Sequence, residues 1–377
     1  MRTVPPARAS RAITAAFLFV LWTCPAAPAQ ATAELTPQQV ARIDAAVTAL
    51  MSSKNIPGLS VAVVTDNRLR WSKTYGLADV EHAVPVKNET VFRLASTSKP
   101  LTAVAVMQLA EDGKIDLDAP VQKYVAAFPV KSAPITTRQL LGHLSGIRHY
   151  RGDEYDSTRN YPTLTDALAV FKDDPLEHEP GAKFTYTTYG YTLLGAAIEG
   201  ASGMSYPDYM REHVFKAAGM AHTRIDSVFE IIPNRAHGYG KTRRTEGDLR
   251  NAGLTDTSYK IPGGGIVSTA EDLARFAIAL QSGKLLKDET LGQMLARQKI
   301  SDGTETKYGL GWFVGERDGK REAWHGGVQH GTTATLRLIP SERAAVAILT
   351  NLEGGGSLGL EKLSTEIADI ALAPAGK

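Results

Sequence analysis

The sequence predicts an α/β (α+β) fold: an antiparallel sheet flanked by N- and C-terminal helices, with a mainly helical domain inserted in the middle of the chain. Three observations predict it. Paired runs of β-branched and aromatic residues, each pair split by a turn signal, occur near both ends of the chain. Segments with helical apolar spacing fill the stretch between them. Each terminus also carries one helix with a single apolar stripe, which needs a flat surface to cover.

Thr36-Pro37 reads as a helix cap followed by proline at the first helical position, and Val40, Ile43, Val47 and Leu50 form one stripe. Leu59–Thr65 and Leu69–Tyr75 read as a hairpin across Asp66-Asn67. Helices are then expected over Pro100–Glu111, Thr137–Leu144, Leu164–Lys172, Tyr191–Glu199 and Tyr206–Ala218, most of them followed by Gly or Pro. Ser268 to Glu271 has a capping-box pattern that opens a further helix ending near Gly283. Strand signals return at Tyr308–Val314 and Glu322–His325 around Asp318-Gly319, and at Thr332–Ile339 and Ala344–Thr350 around Pro340-Ser341-Glu342. Leu360, Leu363, Ile367 and Ile370 give the closing helix the same offsets as the first. The expected division is 32–94 with 262–377 as the sheet part and 95–261 as the helical part.

Composition and the N-terminus bound the function. At 377 residues, 43% hydrophobic and 22% charged, the chain suits one large folded unit or two. Arg2, Arg8 and Arg11, the apolar stretch Ala12 to Trp22, and Ala27-Pro28-Ala29 or Ala29-Gln30-Ala31 read as a signal peptide over 1–31. Its removal takes three positive charges and brings the formal balance from +2 to −1, so there is no electrostatic case for nucleic acid. The expected location is periplasmic or secreted, with no stable membrane span after cleavage. Cys24 is the only cysteine, so cleavage also removes disulfides and thiol chemistry; an acylated Cys24, as in a lipoprotein, is the less favoured alternative because Trp22 and Thr23 suit that modification poorly.

Three short segments hold residues able to do chemistry. In Ser96-Thr97-Ser98-Lys99 a helix start would place the Ser96 hydroxyl and the Lys99 amine on one face. A serine needs a neighbour to take its proton, and a lysine does so once burial lowers its pKa. A capped surface helix would carry the same pattern. In Phe184–Tyr191, Tyr186 is a possible general base, or an aromatic packing residue. Trp324-His325-Gly326-Gly327-Val328 places glycines at a strand end, where amide donors become available, or makes a plain glycine bend.

Together, in this order, the three segments resemble the serine β-lactamase and penicillin-binding protein superfamily, in particular its class C β-lactamase-like branch of D-alanyl peptidases, aminopeptidases and esterases. Val91–Lys99, Leu140–Ile147, Pro180–Tyr206, Pro262–Phe276 and Tyr308–Phe313 all resemble blocks of that branch, from about residue 38 to 372. The resemblance implies a β-lactamase/transpeptidase-like fold with the site between its two parts. It implies Ser96 as the acylated nucleophile, Lys99 as its partner and Tyr186 as proton shuttle. His325 would position or polarise that network, Thr188, Gly326, Gly327 and Val328 would bind substrate, and the amides of Ser96 and Val328 would form an oxyanion hole. Two departures weaken recognition of a β-lactam. Thr188 stands where the family usually has Asn, and His325 where lactamases usually have Lys.

Other chemistries fit less well. Gly355–Gly359 has the G-x-S-x-G pattern, but no histidine follows His330 to complete that triad. His143, His149, Asp153, His178 and Glu179 lack metal-site spacing, so no metal or cofactor is expected. The basic run Lys241–Arg244 reads as a solvated loop. The expected function is an exported serine hydrolase acting through an acyl-enzyme on an ester or amide, of esterase or D-amino-acid peptidase type with weak β-lactamase action, on a small molecule or peptide. The alternative is a catalytically inactive penicillin- or peptidoglycan-binding protein of the same fold.

Overall fold

The computed structural model describes residues 1–3, 34–241 and 248–374; Cys24, the body of the expected signal peptide and Thr242 to Arg244 lie outside the described residues. Helix α1 (Pro37–Lys54) starts at Thr36, whose hydroxyl accepts from the Gln39 amide while the Gln39 side chain accepts from the Thr36 N–H. Strands β1 (Gly58–Thr65) and β2 (Arg68–Asp79) follow. They are joined through Asp66 and Asn67, both at positive φ, as a two-residue hairpin turn requires. A short β3 (Val84–Pro85) adds to β2. The remaining strands of this sheet are β4 (Phe313–Arg317), β5 (Lys320–Gln329), β6 (Thr332–Ile339) and β7 (Ala344–Thr350). The order is β3-β2-β1-β7-β6-β5-β4, and every pairing is antiparallel.

Both faces of the sheet are covered, and the two-residue period sorts its side chains. Leu59, Val61 and Val63 of β1 and Val346 and Ile348 of β7 face the terminal helices, meeting Ile43 and Val47 of α1 and Leu363, Ile367 and Ile370 of α5 (Leu360–Leu372). Ala62, Val64, Ala345, Ala347 and Leu349 point the other way, into a larger core shared with α2 (Ser98–Glu111), α3 (Tyr189–Ser202) and α4 (Ala270–Gln281). Helix α2 is buried on nearly every side. The capped-surface-helix reading of Ser96–Lys99 is thereby excluded.

Several boundaries differ from expectation for local reasons. The helix after Thr137 stops at Leu141, because Gly142 ends it and His143 turns into the left-handed region. The segment from Leu164 is helical only to Leu168. Tyr206–Ala218 is interrupted by a π-helical stretch, Met210–Phe215. Helix α4 is capped by Thr269, which accepts from the Asp272 amide, and not by Ser268. Ser268 instead ends a short strand, Ile266–Ser268, paired with Phe92–Arg93. Tyr308–Trp312 is not strand. Gly311 sits at positive φ against α2, where an added Cβ would lie 2.5 Å from the Ala103 methyl.

Candidate active site

The polypeptide enters α2 through a 3₁₀ turn, Ala95–Thr97. Ala95 has φ +48°, a conformation that costs a non-glycine residue about 1 kcal/mol or more. The strained turn raises Ser96 above the end of α2 and leaves it partly exposed, whereas Lys99 one turn later is wholly buried. The Lys99 Nζ lies 3.0 Å from Ser96 Oγ, 2.8 Å from the Gly263 carbonyl oxygen and 3.3 Å from Thr188 Oγ1. An ammonium would give hydrogens to all three. A neutral amine gives two, to Gly263 and Thr188, and receives the serine hydrogen on its lone pair. Burial, aided by the charge of Lys260, holds the Lys99 pKa well below the ordinary lysine value, which favours the amine.

Tyr186 completes the group. Its side chain lines the same cleft as Ser96, and its ring lies beside Lys99, with Nζ 4.8 Å from the centroid. Burial pushes its pKa up, with the nearby Ser96 hydroxyl opposing, so it rests as the neutral phenol. The loop carrying it is pinned from below. The Thr187 N–H donates to His143 Nδ1 at 3.1 Å and the Thr188 N–H to His149 Nδ1 at 3.3 Å. Burial holds both imidazoles neutral, His149 at a pKa of about 4, with the Lys99 charge adding to the effect. These two histidines therefore serve as hydrogen-bond acceptors for the backbone. Among the described residues no group of His, Cys, Asp and Glu could hold a metal ion.

The third wall is β5. The Thr97 hydroxyl donates to the His325 carbonyl, and a Cβ on Gly327 would lie 2.1 Å from the Leu94 oxygen and 2.9 Å from the Thr97 nitrogen, so only glycine lets strand and turn meet. Pairing of β5 with β4 ends at Trp324 opposite Phe313, so Gly326–Val328 form an edge without a strand neighbour on that side. Ser96, Tyr186, Phe313, His325, Gly326, Gly327 and Val328 line one cleft of about 560 Å³. A larger surface groove, about 840 Å³ between α1 and α5, is lined by none of the expected site residues.

The structure thus brings Ser96, Lys99, Tyr186 and Thr188 together at one end of the cleft and the glycines of β5 along its side. His325 lies beside this group without bonding to it. Its Nδ1–H donates to the Gly326 carbonyl at 2.7 Å and its Nε2 accepts from the Tyr308 hydroxyl at 2.9 Å. Burial, with the Lys99 charge, takes its pKa down to about 3, so the ring is neutral. Sequence reasoning gave no role to Tyr308, Tyr150 or Lys260. The Tyr150 ring packs on that of His149, with centroids 4.1 Å apart. Lys260 is 3% exposed, with Nζ 5.1–5.4 Å from the ring centres of Tyr150, Tyr155 and Tyr259. Burial and the nearby Arg93 bring its pKa to about 7. Its place two residues before the Pro-Gly-Gly-Gly run was the one signal available.

Comparison with known proteins supplies the context. A family model described as beta-lactamase matches residues 43–367. The human mitochondrial serine beta-lactamase-like protein LACTB is 32% identical over 83% of this chain and 76% of its own. The octameric penicillin-binding protein homologue from Pyrococcus abyssi superposes with a TM-score of 0.74 at 26% identity, over 88% of this chain and 77% of that one. A D-amino acid amidase from Ochrobactrum anthropi SV3, solved with L-phenylalanine amide, shares the fold with a TM-score of 0.77 at 22% identity, over 88% and 98%.

Proposed function

The chain belongs to the beta-lactamase family, within the serine hydrolases of the β-lactamase and penicillin-binding protein superfamily, and on that premise we propose that it cleaves an ester or amide of a small molecule or peptide through an acyl-enzyme on Ser96. The observation that carries the proposal is the buried Lys99 amine, 3.0 Å from the Ser96 hydroxyl, which shares its cleft with Tyr186. Lys99 receives the Ser96 proton as Oγ attacks the carbonyl carbon. Tyr186, a neutral phenol, gives its proton to the leaving alcohol or amine and recovers one from the Lys99 ammonium. Deacylation reverses the traffic, with water in place of the leaving group. The amides of Ser96 and Val328 are the proposed oxyanion donors, a role worth about 3 kcal/mol per donor. In the same reading the site works between the sheet part (32–94 and 262–377) and the helical part (95–261).

A neutral His325 gives no cation for a substrate carboxylate, so the esterase or D-amino-acid peptidase type is favoured over an efficient penicillinase. A D-amino acid amidase has the same fold, which supports an amide among the substrates. Ser96→Ala and Tyr186→Phe are each expected to lower kcat by about 10²–10⁴-fold with little change in KM. Fluorophosphonate labelling is expected to vanish in Ser96→Ala. Turnover near wild type in either variant overturns the assignment, and a wild type that never labels points to a non-catalytic binding protein. Export belongs to the same reading: protein recovered from the periplasm is expected to begin at Gln30 or Thr32, and an intact Met1 would contradict it.

A further inference from the structure

We propose that Glu361 makes the cleft a subsite for a positively charged group, so that the preferred substrate carries an ammonium on the part lying along β5 toward α5. This rests on the serine-hydrolase reading above and adds a substrate class to it. Glu361 lies in the first turn of α5 and lines the same cleft as Ser96 and Tyr186. Its Oε1 rests against the β5 edge, 2.8 Å from where a Cβ on Gly326 would stand, closer than real Cβ atoms come to a neighbour. Gly326 therefore makes room for that carboxylate beside the substrate's path.

Among the described residues the Glu361 side chain makes no ion pair and no hydrogen bond. Arg337, which interacts with the Glu361 charge at a distance, directs its guanidinium to the Glu322 carboxylate at 2.7 Å, to Ser364 Oγ and to the main-chain oxygen of Glu361. The neutral His325 next to Gly326 offers no charge either. Lys362 also lines the cleft, but it borders the outer groove with Arg42 and Asp369 as well, which puts it at the rim. Phe313 adds an aromatic wall to the same space. A carboxylate in the first turn favours its helix through the dipole alone, but that role does not require its tip to lie on Gly326.

The test uses the full chain and two matched ester pairs. One pair carries the charge on the leaving group: acetylthiocholine against its neutral isostere S-(3,3-dimethylbutyl) thioacetate. The other carries it on the acyl group: the 4-nitrophenyl ester of 4-(trimethylammonio)butyrate against that of 5,5-dimethylhexanoate. In kcat/KM the wild type is expected to favour the cationic member of at least one pair about three- to fivefold, less at high salt. Glu361→Gln should remove that preference, Glu361→Lys should reverse it, and Lys362→Met should enlarge it. A ratio unchanged in Glu361→Gln, even with a lowered Tm, overturns the proposal and reduces Glu361 to a helix-dipole residue. A wild type that favours the neutral member of both pairs overturns it too. In either case fluorophosphonate labelling of Ser96 leaves the hydrolase reading standing. No labelling together with no hydrolysis of any of the four esters overturns both.

Discussion

Lys99 occupies the first turn of a helix buried on nearly every side, and its amine is ready to accept a proton because burial makes its charged form expensive. Lys260 acts in the same direction as a nearby positive charge. Replacing it with methionine should let the Lys99 pKa rise. Since only the neutral amine accepts the Ser96 proton, the acidic limb of kcat/KM should then move to higher pH. A limb that stays in place in Lys260→Met would show that burial alone sets Lys99. At this scale the sequence revealed residue types and not their surroundings. Ser96, Lys99 and Tyr186 stood out through spacing and family resemblance, whereas nothing local to Lys260 says that three tyrosine rings enclose it.

Between elements, the decisive contact is β5 against the turn that presents Ser96. Gly327→Ala would force a methyl into the Leu94 carbonyl and the Thr97 amide. It should cost about 1–3 kcal/mol of stability and lower kcat, because the turn must move away from the β5 edge. Gly356→Ala provides the control, since its Cβ would meet nothing within 4 Å although the residue lines the same cleft. Equal thermal stability and turnover in the two variants would refute this account. The cap of α4 shows where element boundaries escape a sequence reading. Ser268…Glu271 and Thr269…Asp272 are overlapping cap patterns, and only the pairing of Ile266–Ser268 with Phe92–Arg93 selects the second. The Ser268 hydroxyl is instead paired with that of Thr223, while Asp272 accepts from the His222 amide and the Thr223 hydroxyl.

Across the whole molecule, His330 joins distant parts of the chain. It sits in the turn between β5 and β6 and meets Glu353, just beyond β7, at 3.1 Å and Asp156 of the helical segment at 2.6 Å. Hydrogen bonding to Glu353, with Asp156 adding to it, raises the His330 pKa above its ordinary value. A group whose pKa is higher in the folded state than in the unfolded chain stabilises fully below the unfolded value, about 6.5, and loses that contribution as pH rises through the folded one. Thermal stability should therefore decline as pH is raised above about 6.5, and His330→Gln should flatten that part of the Tm–pH curve. An identical slope in the variant would remove His330 as the cause.

The sequence by itself determined the antiparallel sheet built from both chain ends, the hairpin at Asp66-Asn67, the two covering helices and the family, and it singled out Ser96, Lys99 and Tyr186. All of these follow from local propensity, from the periodicity of apolar side chains, or from motifs that survive in order along the chain. Tertiary structure alone decided that Lys99 is buried and that His325 bonds Tyr308. It alone turned His143 and His149 into props for the tyrosine loop and laid Glu361 on Gly326. The reason is physical: a side chain's charge state and hydrogen-bond partners depend on which distant segments exclude water around it, and that arrangement exists only once the chain has packed.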